Sequence, residues 1–140
     1  MRANLNGGMT AGLRSYAQVG IQTGVDGASP HRLILMLMDG ALARIATAMG
    51  MLKRGDIAGK GESISVAISI INGLRDSLNL DQGGAIAENL SALYLYMCER
   101  LLQANLGNDL QALREVQQLL SEVRSGWSAI EPGATSRTDG

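Results

Sequence analysis

The side chains able to do chemistry in this chain are few and widely separated. His31 is the only histidine and Cys98 the only cysteine. A Ser-His-Asp arrangement or a zinc centre needs several such groups brought together, and one imidazole is too little material for either. A di-metal helical bundle would carry Glu-x-x-His pairs on facing helices, and the chain has none. His31 follows Ser29-Pro30 at the start of a helical pattern, which suits a capping or surface role. Cys98 lies inside an apolar periodic run, which suits an inert buried thiol better than a nucleophile. The 13 carboxylates are spread along the chain. Glu115 and Glu122 share a helix face, and Glu88 and Glu99 flank a central helix, as solvated faces do. Gly83-Gly84 lacks the strand-turn-helix setting of a phosphate loop. These residues predict no catalytic centre, no metal site and no cofactor.

The totals set the frame for the elements. A chain of 140 residues suits one domain with a real core. Aromatic residues make up only 3% and Phe is absent, whereas sheet proteins lean on aromatic and β-branched residues. The balance predicts an all-α protein. A formal net charge of −1 with no basic stripe argues against nucleic-acid binding. One cysteine cannot form an internal disulfide, which fits a reducing, cytoplasmic setting. No run reaches the length of a membrane span and the N-terminus has no apolar signal core, so membrane insertion is not expected.

Four periodic stretches supply the elements. Residues 1–28, broken by Gly7, Gly8, Gly12, Gly20, Gly24 and Gly27, read as a flexible or loosely docked N-terminal arm. Its sticky points include Leu13 and Tyr16. Ser29-Pro30 is a helix start, and a helix over 30–54 presents Ile34, Met38, Ala41, Ile45, Ala48 and Leu52 as its seam. Gly55 fits the left-handed position that closes it. A second helix over 57–79 carries Ile64, Ala67, Ile71, Leu74 and Leu78. A third over 84–106 carries Ile86, Leu90, Leu93, Met97, Leu101 and Ala104, and Gly107 closes it. The fourth, over 109–130, carries Leu113, Val116, Leu120, Val123, Trp127 and Ile130. Short connections make these an antiparallel up-down four-helix bundle spanning 29–131, with a disordered tail at 132–140.

A bundle helix needs an apolar stripe only about 100° wide. Val66, Ile70, Tyr94, Leu95 and Leu102 fall outside the seams and exceed that need. They would cover the arm, form a permanent homodimer or larger structural assembly, or receive a partner.

The ordered motifs resemble the flagellin-specific export chaperones (FliS) of bacteria. The resemblance rests on Tyr16, on Ser29-Pro30-x-x-Leu33, and on Leu37-x-Asp39-Gly40-Ala41-Leu42. Gly55-Asp56 and Ile71-x-x-Leu74-x-x-Ser77-Leu78 follow. Most specific is Gly83-Gly84 with Ile86-Ala87-x-Asn89-Leu90-x-x-Leu93-Tyr94-x-Tyr96-Met97, then Leu101, Ala104-Asn105 and a closing Trp127-x-x-Ile130. Two positions depart from the family pattern: Leu95 stands where an acidic residue is frequent, and Met38 where Tyr is frequent. Both make the surface greasier. The resemblance implies a cytoplasmic chaperone without cofactor. It would hold the C-terminal segment of flagellin, prevent premature polymerisation, and deliver the client to the export gate of the flagellar type III apparatus. It also implies an N-terminal segment that covers part of the client groove, here through Leu13 and Tyr16. On this reading Leu33, Leu37, Val66, Ile70, Leu90, Tyr94 and Leu95 are expected to form the client groove.

Overall fold

A computed structural model describes residues 29–130. The expected arm, with Leu13 and Tyr16, and the expected tail lie outside the described residues. Four helices follow in order: α1 Pro30–Lys53, α2 Ile57–Asp76, α3 Leu80–Gly107 and α4 Leu110–Ala129. Each helix packs on its chain neighbours and α4 returns to α1, closing a four-cornered ring with α1 and α3 at opposite corners. Contacts between the start of one helix and the end of the next make neighbours antiparallel. Lys60 of α2 meets Asn105 of α3, and Arg75 of α2 meets Ser91 of α3.

The caps explain where the helices begin. Backbone N–H groups in the first turn have no partner within the helix and take one from a side chain. Ser29 Oγ accepts from the Arg32 N–H at 3.1 Å, and Asp56 Oδ1 accepts from the Gly59 N–H at 2.9 Å. Asn79 Oδ1 accepts from the Gln82 N–H at 3.1 Å, and Asp109 Oδ1 from those of Gln111 and Ala112. Gly55 takes the left-handed position after α1, with φ +79°. After α3 that position belongs to Asn108, at φ +52°, and not to Gly107.

Two boundaries differ from the sequence expectation. Helix α2 ends at Asp76, where the Ser77 hydroxyl donates to the Leu74 carbonyl at 2.7 Å and closes the last turn. Helix α3 begins with a single turn from Leu80, breaks at Gly84 (φ +56°, ψ −135°), and resumes. Only glycine adopts that conformation without strain.

The seams that the spacing predicts for α1, α2 and α4 hold in their middle turns, whereas Ile34, Leu52, Leu78, Val123 and Trp127 are only partly buried and Ile130, past the end of α4, is 47% exposed. Met38, Ala41, Ile45 and Ala48 are buried on α1, Ile64, Ala67, Ile71 and Leu74 on α2, and Leu113, Val116 and Leu120 on α4. Helix α3 differs. Its buried stripe is Ala87, Tyr94, Met97, Leu101 and Ala104, while Ile86 is 79% exposed. At 100° per residue this is a rotation of roughly 40° from the expected seam. The core contains Ala41, Ala48, Ala67, Ala87, Ala104 and Ala112, and a close-packed interior needs large side chains opposite small ones. Tyr94, 2% exposed, supplies that volume. Ile70 also sits in the core, and Val66 packs against it from the rim. These off-seam residues therefore contribute to the packing of the bundle.

By length and composition α1 is apolar enough to cross a membrane. In the bundle its seam faces the core, and midway along it Asp39 pairs with Arg124 of α4.

Candidate functional site

Among the described residues, several groups with chemical potential make contacts that hold the bundle. His31 and Trp127 clasp the start of α1 to the end of α4. The His31 Nε2–H donates to the Trp127 carbonyl at 2.7 Å, and the Trp127 Nε1–H donates to the His31 carbonyl at 3.0 Å. Their rings stack with centroids 5.0 Å apart. Cys98 is half-buried, its Sγ 3.6 Å from Asn72 Oδ1, and burial pushes its thiol up to about 11. The nucleophilic thiolate is correspondingly scarce near neutral pH. On the α3–α4 face the Tyr96 hydroxyl donates to Glu115 at 2.5 Å and Arg100 Nε donates to the same carboxylate at 2.7 Å. Those two bonds hold Glu115 below the usual carboxylate range, and the bond to Glu115 raises Tyr96.

Lys60 gave no signal in the sequence beyond its place between two glycines. It is 2% exposed, and its ammonium donates to the Asn105 carbonyl at 2.8 Å and to Asn108 Oδ1. The cation thereby satisfies the negative end of α3. A β-carbon on Gly61 would stand 3.5 Å from Asn105 Oδ1, an ordinary contact distance, so Gly61 lies at the α2–α3 seam without being required there by space.

The residues expected to line a client groove occupy different depths. Leu33, Ile70 and Tyr94 are buried. Leu37, Val66 and Leu90 are partly buried and pack against the core. Only Leu95 is exposed, at 39%. Leu37, Val66 and Ile70 belong to the α1–α2 side, where Gly40 leaves 3.7 Å between Ile70 and the place a β-carbon would take. Leu95 is on the outer side of α3, beside Leu102 (51% exposed) and Leu106 (79%). Leu106 was missed and Leu102 was not placed in the groove. Reading the three-four stepping on a second phase of the same helix would have found both.

Fold and surface together define a class: an all-α four-helix bundle with exposed leucines along its third helix. The FliS family model, described as flagellar protein FliS, matches residues 12–134. The chain therefore belongs to the FliS family. It is 51% identical over 126 residues to the flagellar secretion chaperone FliS of Salmonella typhimurium, covering 89% of this chain and 93% of that protein. It is 49% identical to flagellar secretion chaperone FliSB of Pseudomonas aeruginosa, over 84% of this chain and 94% of that one. With FliS of Bacillus subtilis it shares 35% over 76% of this chain and 78% of that one.

Proposed function

We propose that this chain is a cytoplasmic chaperone that binds the C-terminal segment of flagellin, prevents its premature polymerisation and hands it to the flagellar export gate, without catalysis or cofactor. The observation that carries the reading is the family match across nearly the whole chain, joined to exposed leucines on the helix with the strongest motif. The physics is apolar masking. Covering about 1,000 Å² of client apolar surface is worth on the order of 25 kcal/mol gross. Ordering the client and losing association entropy offset most of it. A net of roughly −8 to −12 kcal/mol holds a client and still lets it go.

In this reading Leu95 touches the client directly, with Leu37, Val66 and Leu90 at the groove's half-buried edges. Leu33, Ile70 and Tyr94 act from beneath by setting its shape. Leu13 and Tyr16 belong to an N-terminal lid that competes with the client, so deleting residues 1–24 speeds association.

Calorimetry with the flagellin C-terminal segment tests the proposal. Wild type should bind, and Leu95→Asp should weaken binding while circular dichroism stays unchanged. The competing reading is a permanent homo-oligomer. A stable dimer by light scattering that ignores the flagellin segment would establish it and refute the chaperone reading.

A further inference from the structure

The outer side of α3 carries a second repeat beside the one that enters the core. Glu88, Ala92, Leu95, Glu99, Leu102 and Leu106 step by four and three alternately, and all six are exposed. At 100° per residue they form one strip, roughly 150° round the helix from the buried stripe. A second strip with the same repeat is the geometry of a helix that receives another helix along its outer side, with side chains interlocking. From Glu88 to Leu106 it is about 27 Å long at 1.5 Å per residue, room for about five turns of partner helix.

Charge selects the occupant. Glu88 and Glu99 stand within the strip, and Glu62 and Asp76 are exposed on the adjoining helix α2. Among the described residues the ion pairs are Arg100–Glu115 and Arg124–Asp39, so none of these four carboxylates is paired. The cations of α2 are engaged elsewhere: Lys60 is buried beneath the end of α3, and Arg75 Nε donates to Ser91 Oγ at 3.0 Å. A second copy docking strip to strip in parallel would bring Glu88 and Glu99 against their own kind, and in antiparallel register it would set them against Leu106 and Leu95, covering carboxylates without partners; both oppose homodimerisation there.

We propose that this strip receives an amphipathic helix of the client whose apolar side is flanked by Lys or Arg, the leucines supplying contact and Glu88 and Glu99 setting register. This rests on the flagellin-chaperone reading and specifies the chemistry of the segment it grips. Charges flanking an apolar seam decide partner choice and on-rate more than raw affinity, and salt screens them.

Fluorescence anisotropy with labelled flagellin C-terminal segment, at about 50 and about 300 mM salt, separates the two ideas. Wild-type affinity should fall as salt rises. Glu88→Lys/Glu99→Lys should weaken binding by about tenfold or more at low salt and abolish that salt dependence. Glu88→Gln/Glu99→Gln should fall between, and Leu102→Ser should weaken binding equally at both salts. Binding that is salt-independent and untouched by charge reversal overturns the inference and leaves the chaperone reading standing. Failure of wild type to bind the segment overturns both. A dimer that Leu102→Asp dissociates would assign the strip to a second copy, against this proposal.

Discussion

Tyr94 and Leu102 lie on one helix and are both apolar enough to pass for surface excess, yet they have opposite roles. Tyr94 fills the bundle beside buried alanines, while Leu102 faces water. Replacing Tyr94 with Ala leaves a cavity and should cost about 3–5 kcal/mol in urea denaturation. Leu102→Asp removes no core contact and should change stability by about 0.5 kcal/mol or less in the same measurement. Burial also raises Tyr94 to about 12 and Cys98 to about 11. Both groups are neutral when protonated, so the folded state retains protons that the unfolded chain releases first. Their contribution is fully present below pH 9, the ordinary thiol value, and is lost progressively as pH rises towards 12. Denaturation midpoints should therefore drop through this window, and Cys98→Ser should remove the earlier part of the drop.

At the scale of the helix, the break near the start of α3 depends on two glycines for different reasons. Gly84 holds a positive φ, and a β-carbon on Gly83 would come within 2.5 Å of the Ala87 β-carbon. Gly84→Ala should destabilise the bundle by about 1–3 kcal/mol, read as a lower urea midpoint. The same break marks the limit of what periodicity reveals. On α1, α2 and α4 the spacing identified most of the buried residues, but Leu33, Ile70 and Ala112 are buried off the predicted seams. On α3, Ile86, Leu90, Leu93, Tyr94, Leu95 and Leu102 populate several phases at once. The 3.6-residue period then cannot choose among them, and the choice falls to volume: Tyr94 adds bulk to a core rich in alanine, and Ile86 stays 79% exposed. Lys60 was illegible for another reason. A lysine reads as solvated until its partner, the end of a helix 45 residues later in the chain, is in place. The outer strip was half legible, since Leu95 and Leu102 were in surplus, but its acidic members looked like ordinary solvated face.

Taken whole, the bundle conceals a polarity behind its net charge of −1. Helix α1 carries Arg32, Arg44 and Lys53 against Asp39, a sum of +2, and α3 carries Asp81, Glu88 and Glu99 against Arg100, a sum of −2. These helices stand at opposite corners, so among the described residues charge is distributed across the bundle, with the acidic side on the helix that carries the leucine strip. The His31–Trp127 clasp has a mechanical corollary. It holds the entry and exit of the bundle side by side, so tension applied between residues 29 and 130 opens α1 from α4 as a zipper, one turn at a time. Tension between residues 29 and 54 instead loads the length of α1 and must slide its whole seam at once. Optical-tweezer traces should show gradual, low-force opening in the first geometry and an abrupt, higher-force rupture in the second.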